Sequence, residues 1–404
     1  MSTSFLVHGL GLIGYQYIKS VFEKGKIYIH ARKNPAKLRC PDCNSHKLKL
    51  KGTITRQFKA LPLGKKQIIL MVTIQRIQCK ECRCLKQIKL GFAEPKKTYT
   101  RAFARYVLEL LKFSTIKDVA CHLNISWDTV KEIQKKYLLK NFSKPKLSEL
   151  KQIAIDEISI GKKHKYLTIV LDLKTGAVVF IGDGKESNSL EPFWKQIKRA
   201  RANIEAVAID MSPAYIKAVS ENLPNAVIVF DHFHIIKLFN EKLSELRRKV
   251  YHETTDYLKT QALKGIRWIL LKNPENLDEN KNEKEHLEKA LRVNKPLAIA
   301  YYLKEDLRQL WSQENKEEAE KFLEDWIDKA RASEVAMLKK FSNTLSAHRT
   351  GILAYYDYPI STGPLEGTNN KIKTMQRQSY GFRDKEFFKL KIFAIHQSRY
   401  ALIG

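Results

Sequence analysis

A basic segment near the C-terminus begins with a single acid. In residues 361–384, Glu366 is followed by no other acid until the last residue, although four Lys and Arg residues lie between them. Helical spacing places Asn370, Lys373 and Arg377 on the same side as Glu366. A carboxylate can hold a divalent cation, and the side chains behind it can bind the phosphates of DNA. Taken alone, the segment better fits a helix whose first acid complements the helix dipole.

Two aspartates upstream make a metal-binding role for Glu366 the better interpretation. Asp156 ends the apolar run QIAID and Asp210 ends AVAID, so we expect both where buried strands emerge at the ligand-binding edge of an α/β sheet. With Glu366 they form three carboxylates that can hold two Mg²⁺ ions, or Mn²⁺, at a phosphodiester. Glu157 is an alternative first ligand. Because adjacent side chains on a strand point to opposite faces, only one of the two can join the site, and we favour Asp156.

The cysteines have the spacing of a metal site. Cys40 and Cys43 form one CxxC pair, and Cys79 and Cys82 form a second. Two such pairs on β-hairpins supply four thiolates to a tetrahedral structural Zn²⁺. Cys84 lies two residues beyond Cys82 and could replace it as the fourth ligand, a choice that spacing does not decide.

The segment TIKDVACHLNISWDTVKEIQKKYL has the layout of a helix-turn-helix. An apolar helix is followed by a short turn, and Ser126 is a good N-cap for a second, basic helix. An ordinary pair of packed helices would look the same. Residues 1–150 carry 31 Lys and Arg against 9 Asp and Glu residues, however, and this charge favours DNA binding. The predicted DNA-binding side chains here are Trp127, Thr129, Lys131 and Lys135.

Composition restricts the class of protein. The 404 residues carry a formal net charge of +30, and 44% of them are hydrophobic, which indicates a globular protein that attracts polyanions. All six cysteines lie within the first 121 residues, unlike a secreted disulfide framework. The apolar residues 5–18 are too short to span a bilayer. We therefore expect a cytoplasmic, nucleoid-associated protein whose partner is double-stranded DNA and not a membrane.

The periodicity of the sequence changes along the chain. Residues 27–93 alternate as strands do, and helical periodicity begins at Arg101. After a polar stretch around Pro145, short strands follow one another and then alternate with helices, which predicts a mixed sheet covered by helices. From Ile235 to Ser346 the pattern is helical only. The predicted fold class is therefore mixed α+β with several domains.

Four segments carry a resemblance to a known family. AIDE, AIDMS, FDHFH and GPLEGTNNKIKTMQRQSYGFRD follow the CxxC pairs and the helix-turn-helix in that order. Together they resemble the ISL3 family of bacterial insertion-sequence transposases over nearly the whole chain. The resemblance implies DDE enzymes with a ribonuclease-H-like α/β core, and Asp156, Asp210 and Glu366 as the catalytic triad. Together with the patterns above, it predicts a zinc-ribbon region (1–97), a helix-turn-helix (98–146), a first part of the core (147–240), an all-α insertion domain (241–346) and a last part of the core (347–404).

The resemblance also implies roles for other residues. Asp231 and His234 form a D-x-x-H motif similar to one in related transposases, which implies that His234 helps to position the scissile phosphate. We expect it at a strand end, where His232 on the same side is an alternative. Arg267 and Trp268 resemble an Arg-Trp pair that stacks on a flipped base. A buried helix would also account for Trp268.

The sequence thus predicts a DNA transposase that binds terminal inverted repeats through its zinc ribbon and helix-turn-helix. A two-Mg²⁺ site would free a 3′-hydroxyl that attacks target DNA. Because transposition brings two ends together, we expect a homodimer or a larger assembly on DNA. Two rivals stay open: a DNA nuclease or resolvase of the same fold, and a non-catalytic DNA-binding regulator built from residues 1–150.

Overall fold

The computed structural model describes residues 5–161 and 165–396, and the chain divides into two compact units. One unit extends to residue 141, and the other runs from residue 142 to residue 396. Each unit has its own sheet and its own hydrophobic clusters. None of the helices in the described ranges combines the length and the apolar character that a bilayer span requires.

The first unit contains a five-stranded sheet in the order β1-β2-β4-β3, with β5 paired to β4. Its strands are β1 (Tyr15–Glu23), β2 (Lys26–Lys33), β3 (Leu48–Leu63), β4 (Lys66–Cys79) and β5 (Leu85–Gln87). Alternate residues of β4, among them Ile68, Leu70 and Val72, are buried in one cluster with Phe58 of β3. Because alternate residues of a strand point to the same side, one face of the hairpin packs into a core. The second CxxC pair begins at Cys79, the last residue of β4, and ends at Cys82 in the turn before β5.

Three helices follow in the first unit. They are α1 (Arg101–Leu110), α2 (Ile116–Leu123) and α3 (Trp127–Phe142). Thr115 and Asp118 form a capping box at the start of α2. Asn124 ends α2 with a φ of 47°, a left-handed conformation that terminates the helix. Ser126 Oγ then accepts a hydrogen bond from the backbone N–H of Thr129 at 3.2 Å, so the predicted N-cap of α3 is confirmed.

The second unit contains a mixed sheet in the order β10-β9-β6-β7-β8. Its strands are β6 (Gln152–Gly161), β7 (Lys165–Asp172), β8 (Val178–Asp183), β9 (Ala206–Ile209) and β10 (Val227–Phe230). Strands β6, β7 and β8 pair antiparallel, whereas β9 is parallel to β6 and β10 is parallel to β9. Two helices alternate with the last strands, α4 (Glu191–Ala200) and α5 (Pro213–Asn222). The predicted mixed sheet is confirmed.

Residues 231–353, which the structure describes throughout, contain no strand, and their regular secondary structure is α-helical or 3-10. The α-helices are α6 (His232–Glu253), α7 (Tyr257–Leu263), α8 (Arg267–Leu271), α9 (Glu283–Arg292), α10 (Lys295–Arg308), α11 (Lys316–Ala332), α12 (Ala336–Ala347) and α13 (Arg349–Leu353). Helix α6 crosses the predicted domain boundary at residue 240 without a break. The reason is an apolar stripe at Ile235, Phe239 and Leu243, which is buried along one face of the helix.

Helices cover both faces of the second sheet. On one face, Ile155 and Ile209 share a core with residues of α4, α5 and α6. On the other face, Ala154 and Ala208 share a core with residues of two C-terminal helices, α14 (Gly363–Gln378) and α15 (Lys385–Phe393). Adjacent residues on a strand therefore point into different layers.

Candidate functional site

Three aspartates lie in a row across β6, β9 and β10. In the parallel register, Ala154 pairs with Ala208 on the neighbouring strand. Asp156 and Asp210 each lie two residues further along, so their side chains extend from the same face of the sheet. Asp231 directly follows β10 and donates its backbone N–H to the carbonyl of Ile209 at 3.2 Å. The strand order thus gathers acids that are far apart in sequence.

The apolar run QIAID predicted Asp156 at the end of its strand. The structure instead places Asp156 in the middle of β6. Strand β6 continues to Gly161 because its second half pairs with β7. The neighbouring β9 ends at Ile209, so Asp156 still lies beside the end of a parallel strand. Burial raises the pKa of Asp156 above its ordinary value, and the nearby charge of Asp210 adds to this effect.

Glu157 points to the opposite face of the sheet. Burial raises the pKa of its carboxyl group, which hydrogen-bonds with Tyr215. Tyr215 belongs to the core shared with α4 and α5. The two adjacent acids are therefore separated by the sheet, as the strand geometry predicts.

Helix α14, which carries Glu366, contacts this row of aspartates through Asn369. Asn369 donates a hydrogen bond from Nδ2 to Oδ2 of Asp156 at 2.9 Å. Glu366 lies about one helical turn before Asn369 and is exposed. Among residues 5–161 and 165–396, Asp156, Asp210 and Glu366 do not form a group with all ligand oxygens within 4.8 Å of one another.

Asp231 connects the starts of α6 and α14. Its carboxylate accepts hydrogen bonds from His234 Nδ1 at 3.1 Å and from the hydroxyl of Thr362. Burial alone would raise the pKa of Asp231, but these hydrogen bonds outweigh it and lower the pKa. The same contact with Asp231 raises the pKa of His234. The pair thus favours an imidazolium beside a carboxylate.

The two histidines lie in the first turn of α6, and not on a strand end as predicted. The cause is Asp231, whose side chain caps this helix. The charges of Asp156 and Asp210 also raise the pKa of His234. His232 Nδ1 lies 3.5 Å from Asp231 Oδ1. Its ring lies beside two aromatic residues, Trp311 and Tyr355.

The two CxxC pairs form one cluster. The Sγ atoms of Cys40, Cys43, Cys79 and Cys82 all lie within 4.8 Å of one another. A tetrahedral zinc with Zn–S bonds of about 2.3 Å requires sulfurs roughly 3.8 Å apart, so this group fits the metal. The Sγ atom of Cys84 lies 3.3 Å from that of Cys40 but outside the four-sulfur group. The short distances among these four sulfur atoms thus favour the zinc ligands that the CxxC spacing predicted.

Both knuckles turn at the residue that follows their second cysteine. Asn44 has a φ of 61° and Arg83 a φ of 59°, both left-handed. The backbone N–H of Asn44 bonds the carbonyl of Cys40 at 3.1 Å, which closes the first turn. Asparagine tolerates this conformation better than most residues, so Asn44 was a local signal that sequence reasoning missed. Arg83 gave no such signal.

Known proteins match each region of the chain. Residues 153–392 match a family model described as a transposase, and residues 88–138 match the helix-turn-helix domain of transposase family ISL3. Residues 37–82 match the zinc-finger of transposases IS204, IS1001, IS1096 and IS1165. The transposase for insertion sequence element IS1001 from Bordetella parapertussis is 31% identical over 358 residues, or 88% of each chain. The chain belongs to the ISL3 family of transposases.

A second relative of this ISL3 transposase supports the assignment. The transposase for insertion sequence element IS1557 from Mycobacterium tuberculosis is 28% identical over 361 residues, which cover 83% of this chain and 80% of that one. Among solved structures, a Drosophila P element transposase strand transfer complex matches 76% of this chain and 94% of that chain. Its sequence identity to this chain is 12%, and the TM-score is 0.39. The predicted family, zinc ribbon and helix-turn-helix are confirmed.

The predicted DNA-binding side chains of the helix-turn-helix lie along α3. Trp127 is 46% exposed at the start of the helix, and Lys131 Nζ lies 5.3 Å from the centre of its ring. Thr129 shares a hydrogen bond of 2.7 Å with Ser126 Oγ, so its hydroxyl is part of the N-cap. Lys135 is half-buried one turn after Lys131. Their contact with DNA stays a prediction.

The other predicted DNA-binding residues of the ISL3 transposase are on the second unit. Asn370, Lys373 and Arg377 are exposed on α14, whereas the neighbouring stripe of that helix is buried. Trp268 is 66% exposed at the start of α8, with the Arg267 guanidinium 4.7 Å from the centre of its ring. The exposure of Trp268 excludes the alternative that it is a core residue.

Proposed function

We propose that this ISL3 transposase cleaves the ends of its insertion sequence and joins them to target DNA by a DDE mechanism. Asp156, Asp210 and Glu366 would hold two Mg²⁺ ions, with Mn²⁺ as a substitute. The proposal includes a ribonuclease-H-like core, which the mixed sheet with helices on both faces supports. The helical residues between β10 and α14 would form the all-α insertion domain.

One hydrogen bond carries the proposal. The Asn369 amide bonds Asp156 across 213 residues of sequence, and Asn369 lies on the same helix as Glu366. The parallel register of β6 and β9 independently places Asp156 beside Asp210. These two relationships support a triad of Asp156, Asp210 and Glu366, the three acids that the resemblance selects.

The residues present fit a hard divalent cation. Carboxylate oxygens are the ligands that Mg²⁺ prefers, and the buried Oδ1 of Asn369 has no hydrogen-bond partner among the described residues. When bound, Mg²⁺ would stabilise charge on the attacking and leaving oxygens of a phosphodiester. Burial raises the pKa of Asp156. A cation beside this carboxyl group would oppose that effect and favour the ionised form.

His234 would act on the scissile phosphate. Asp231 accepts a hydrogen bond from its Nδ1, and the imidazolium form that this pair favours would donate its Nε2–H to a phosphate oxygen. In the first step, a water oxygen bonds to phosphorus, the bond from phosphorus to the 3′-oxygen breaks, and that oxygen leaves as a hydroxyl. In the second step, this hydroxyl attacks a phosphodiester of the target and displaces its 3′-oxygen. The protein forms no covalent bond to DNA.

Recognition of the DNA would be divided between the two units. The zinc ribbon and the helix-turn-helix would bind the terminal inverted repeats, with α3 in the major groove. The exposed Asn370, Lys373 and Arg377 would bind phosphates beside the cleaved bond, and Arg267 with Trp268 would hold an extruded base. The active species would be a homodimer or a larger assembly on DNA.

The proposal is tested by cleavage of a labelled duplex that carries the end of the element. We expect nicking at the element boundary that requires Mg²⁺ and is absent in Asp210→Ala, although that variant still binds the duplex. Asp183→Ala is a matched control, because Asp183 ends β8 on the same sheet and pairs with Lys389 at 2.8 Å. Nicking by Asp210→Ala, or nicking in EDTA, would refute the assignment.

A further inference from the structure

Asn369 is a buried polar residue of α14 that contacts one of the proposed acids, Asp156. It is 5% exposed, and its Nδ2 donates to Oδ2 of Asp156 at 2.9 Å. The other oxygen of Asp156 accepts the backbone N–H of Glu157 at 2.8 Å. Each carboxylate oxygen of Asp156 therefore has one fixed donor, and the plane of the carboxylate is set.

The orientation of the Asn369 amide follows from chemistry. If the amide were flipped, its Oδ1 would face Oδ2 of Asp156, and two acceptors would oppose each other. An ionised carboxylate thus requires Nδ2 on its side. This orientation leaves Oδ1 buried and without a hydrogen-bond partner in the described residues, an arrangement that disfavours folding unless a ligand or a water uses it.

Attachment of α14 to the sheet does not require this amide. Gln376, two turns later on the same helix, donates from Nε2 to the carbonyl of Ile160 on the same strand at 2.6 Å. Leu365 and Ile372 are fully buried and pack α14 against the sheet. An apolar residue at position 369 would add to that packing, so the polar side chain needs another explanation.

We infer that Asn369 is a positioning residue of the proposed metal centre. It orients Asp156 through Nδ2 and presents Oδ1 as a neutral, hard oxygen to the space where the cation would lie. This inference rests on the proposed function. A neutral amide suits the position, because a further carboxylate would repel Asp156, whereas an N–H donor favours its ionised form. Groups that orient metal ligands typically change metal affinity by about 10- to 100-fold when they are removed.

Binding of Mn²⁺ to the full-length, zinc-loaded protein tests the inference without DNA and without an activity assay. Free Mn²⁺ is measured by electron paramagnetic resonance during a titration of wild type, Asn369→Leu, Gln376→Leu and Asp156→Ala. We expect Asn369→Leu to weaken binding by about tenfold or more. Gln376→Leu, which removes a comparable bond between the same helix and strand, should bind as wild type does. Asp156→Ala should lose binding of at least one ion.

The outcomes separate the inference from the proposed function. Wild-type affinity in Asn369→Leu would overturn the role of Asn369 and leave the metal centre in place. Equal weakening in Asn369→Leu and Gln376→Leu would show that both bonds only attach the helix, and would also overturn it. No Mn²⁺ binding by wild type would refute the metal centre and the inference together. Melting curves of each variant report folding, and Asn369→Ala replaces Asn369→Leu if leucine does not fit.

Discussion

The hydroxyl of Thr362 donates a hydrogen bond to the carboxylate of Asp231, which lies 131 residues earlier in the chain. Both residues are almost fully buried, with exposures of 1% and 2%. Thr362 immediately precedes α14, and Asp231 immediately precedes α6. This contact therefore joins the start of the helix that carries Glu366 to the start of the helix that carries His234.

Thr362→Val should destabilise the second unit. The substitution keeps the shape of the side chain but leaves Asp231 buried with one donor fewer, which costs about 1–3 kcal/mol. Thr362→Ser keeps the hydroxyl and should recover most of the loss. Denaturant unfolding measures the effect. Equal stability of the valine and serine variants would mean that the hydrogen bond contributes little.

The pair of His234 and Asp231 should make stability depend on pH. The pKa of His234 is raised from 6.5, so its contribution is complete below that value and is lost as pH rises through the folded pKa. The pKa of Asp231 is lowered from 3.8, so its contribution is present above that value and is lost as pH falls through the folded pKa. The pair therefore stabilises the fold between these two folded pKa values.

Asp231→Asn should lower the pKa of His234 towards its ordinary value of 6.5, since the largest cause of the shift is removed. An NMR titration of the His234 ring proton measures this change. Asp256→Asn is a matched control, because Asp256 also caps a helix through its carboxylate. An unchanged His234 pKa in Asp231→Asn would contradict the pairing.

Removal of zinc should unfold the cysteine knuckles and abolish binding to the element end. Cys82→Ser should lose the metal, because Cys82 belongs to the four-sulfur group. Cys84→Ser should retain it, since Cys84 lies outside that group. Zinc content after chelation, measured with a colorimetric dye, distinguishes the variants. Zinc loss in Cys84→Ser alone would make Cys84 the fourth ligand.

Trp268→Ala should impair cleavage at the element end with little loss of stability, because Trp268 is largely exposed. Trp326→Ala gives the opposite comparison. Trp326 is buried, and its indole N–H donates to the carbonyl of Leu303 at 2.8 Å, so truncation should cost about 3–5 kcal/mol. Thermal melting and a cleavage assay separate the two effects. Normal cleavage by Trp268→Ala would exclude base stacking as its role.

Arg377→Ala should weaken DNA binding in a salt-dependent manner. Each phosphate contact that is lost should reduce the slope of log affinity against log salt by about 0.9. Lys289→Ala is the control, because Lys289 pairs with Glu285 at 2.6 Å within α9. Fluorescence anisotropy at several salt concentrations measures the slope. An unchanged slope for Arg377→Ala would place this residue away from the DNA backbone.

Local signals in the sequence were sufficient for many features of this protein. The CxxC spacings identified the cysteine cluster, and Ser126 marked the start of the second helix of the helix-turn-helix. Period-two alternation marked the strands, and the helical stretch after β10 lacked strand patterns. Each of these signals depends on residues a few positions apart, which the backbone geometry alone brings together.

Only the tertiary structure decided which distant side chains meet. It placed Asp156 in mid-strand, because pairing with β7 extends β6 beyond the apolar run. In the folded unit Trp268 is exposed. Asn369 is hydrogen-bonded to Asp156, and Thr362 is hydrogen-bonded to Asp231. Such contacts depend on strand order and on how a helix packs across a sheet. The periodicity of a short segment does not predict these contacts between distant residues. The free energy that favours them comes from the packing of the whole unit.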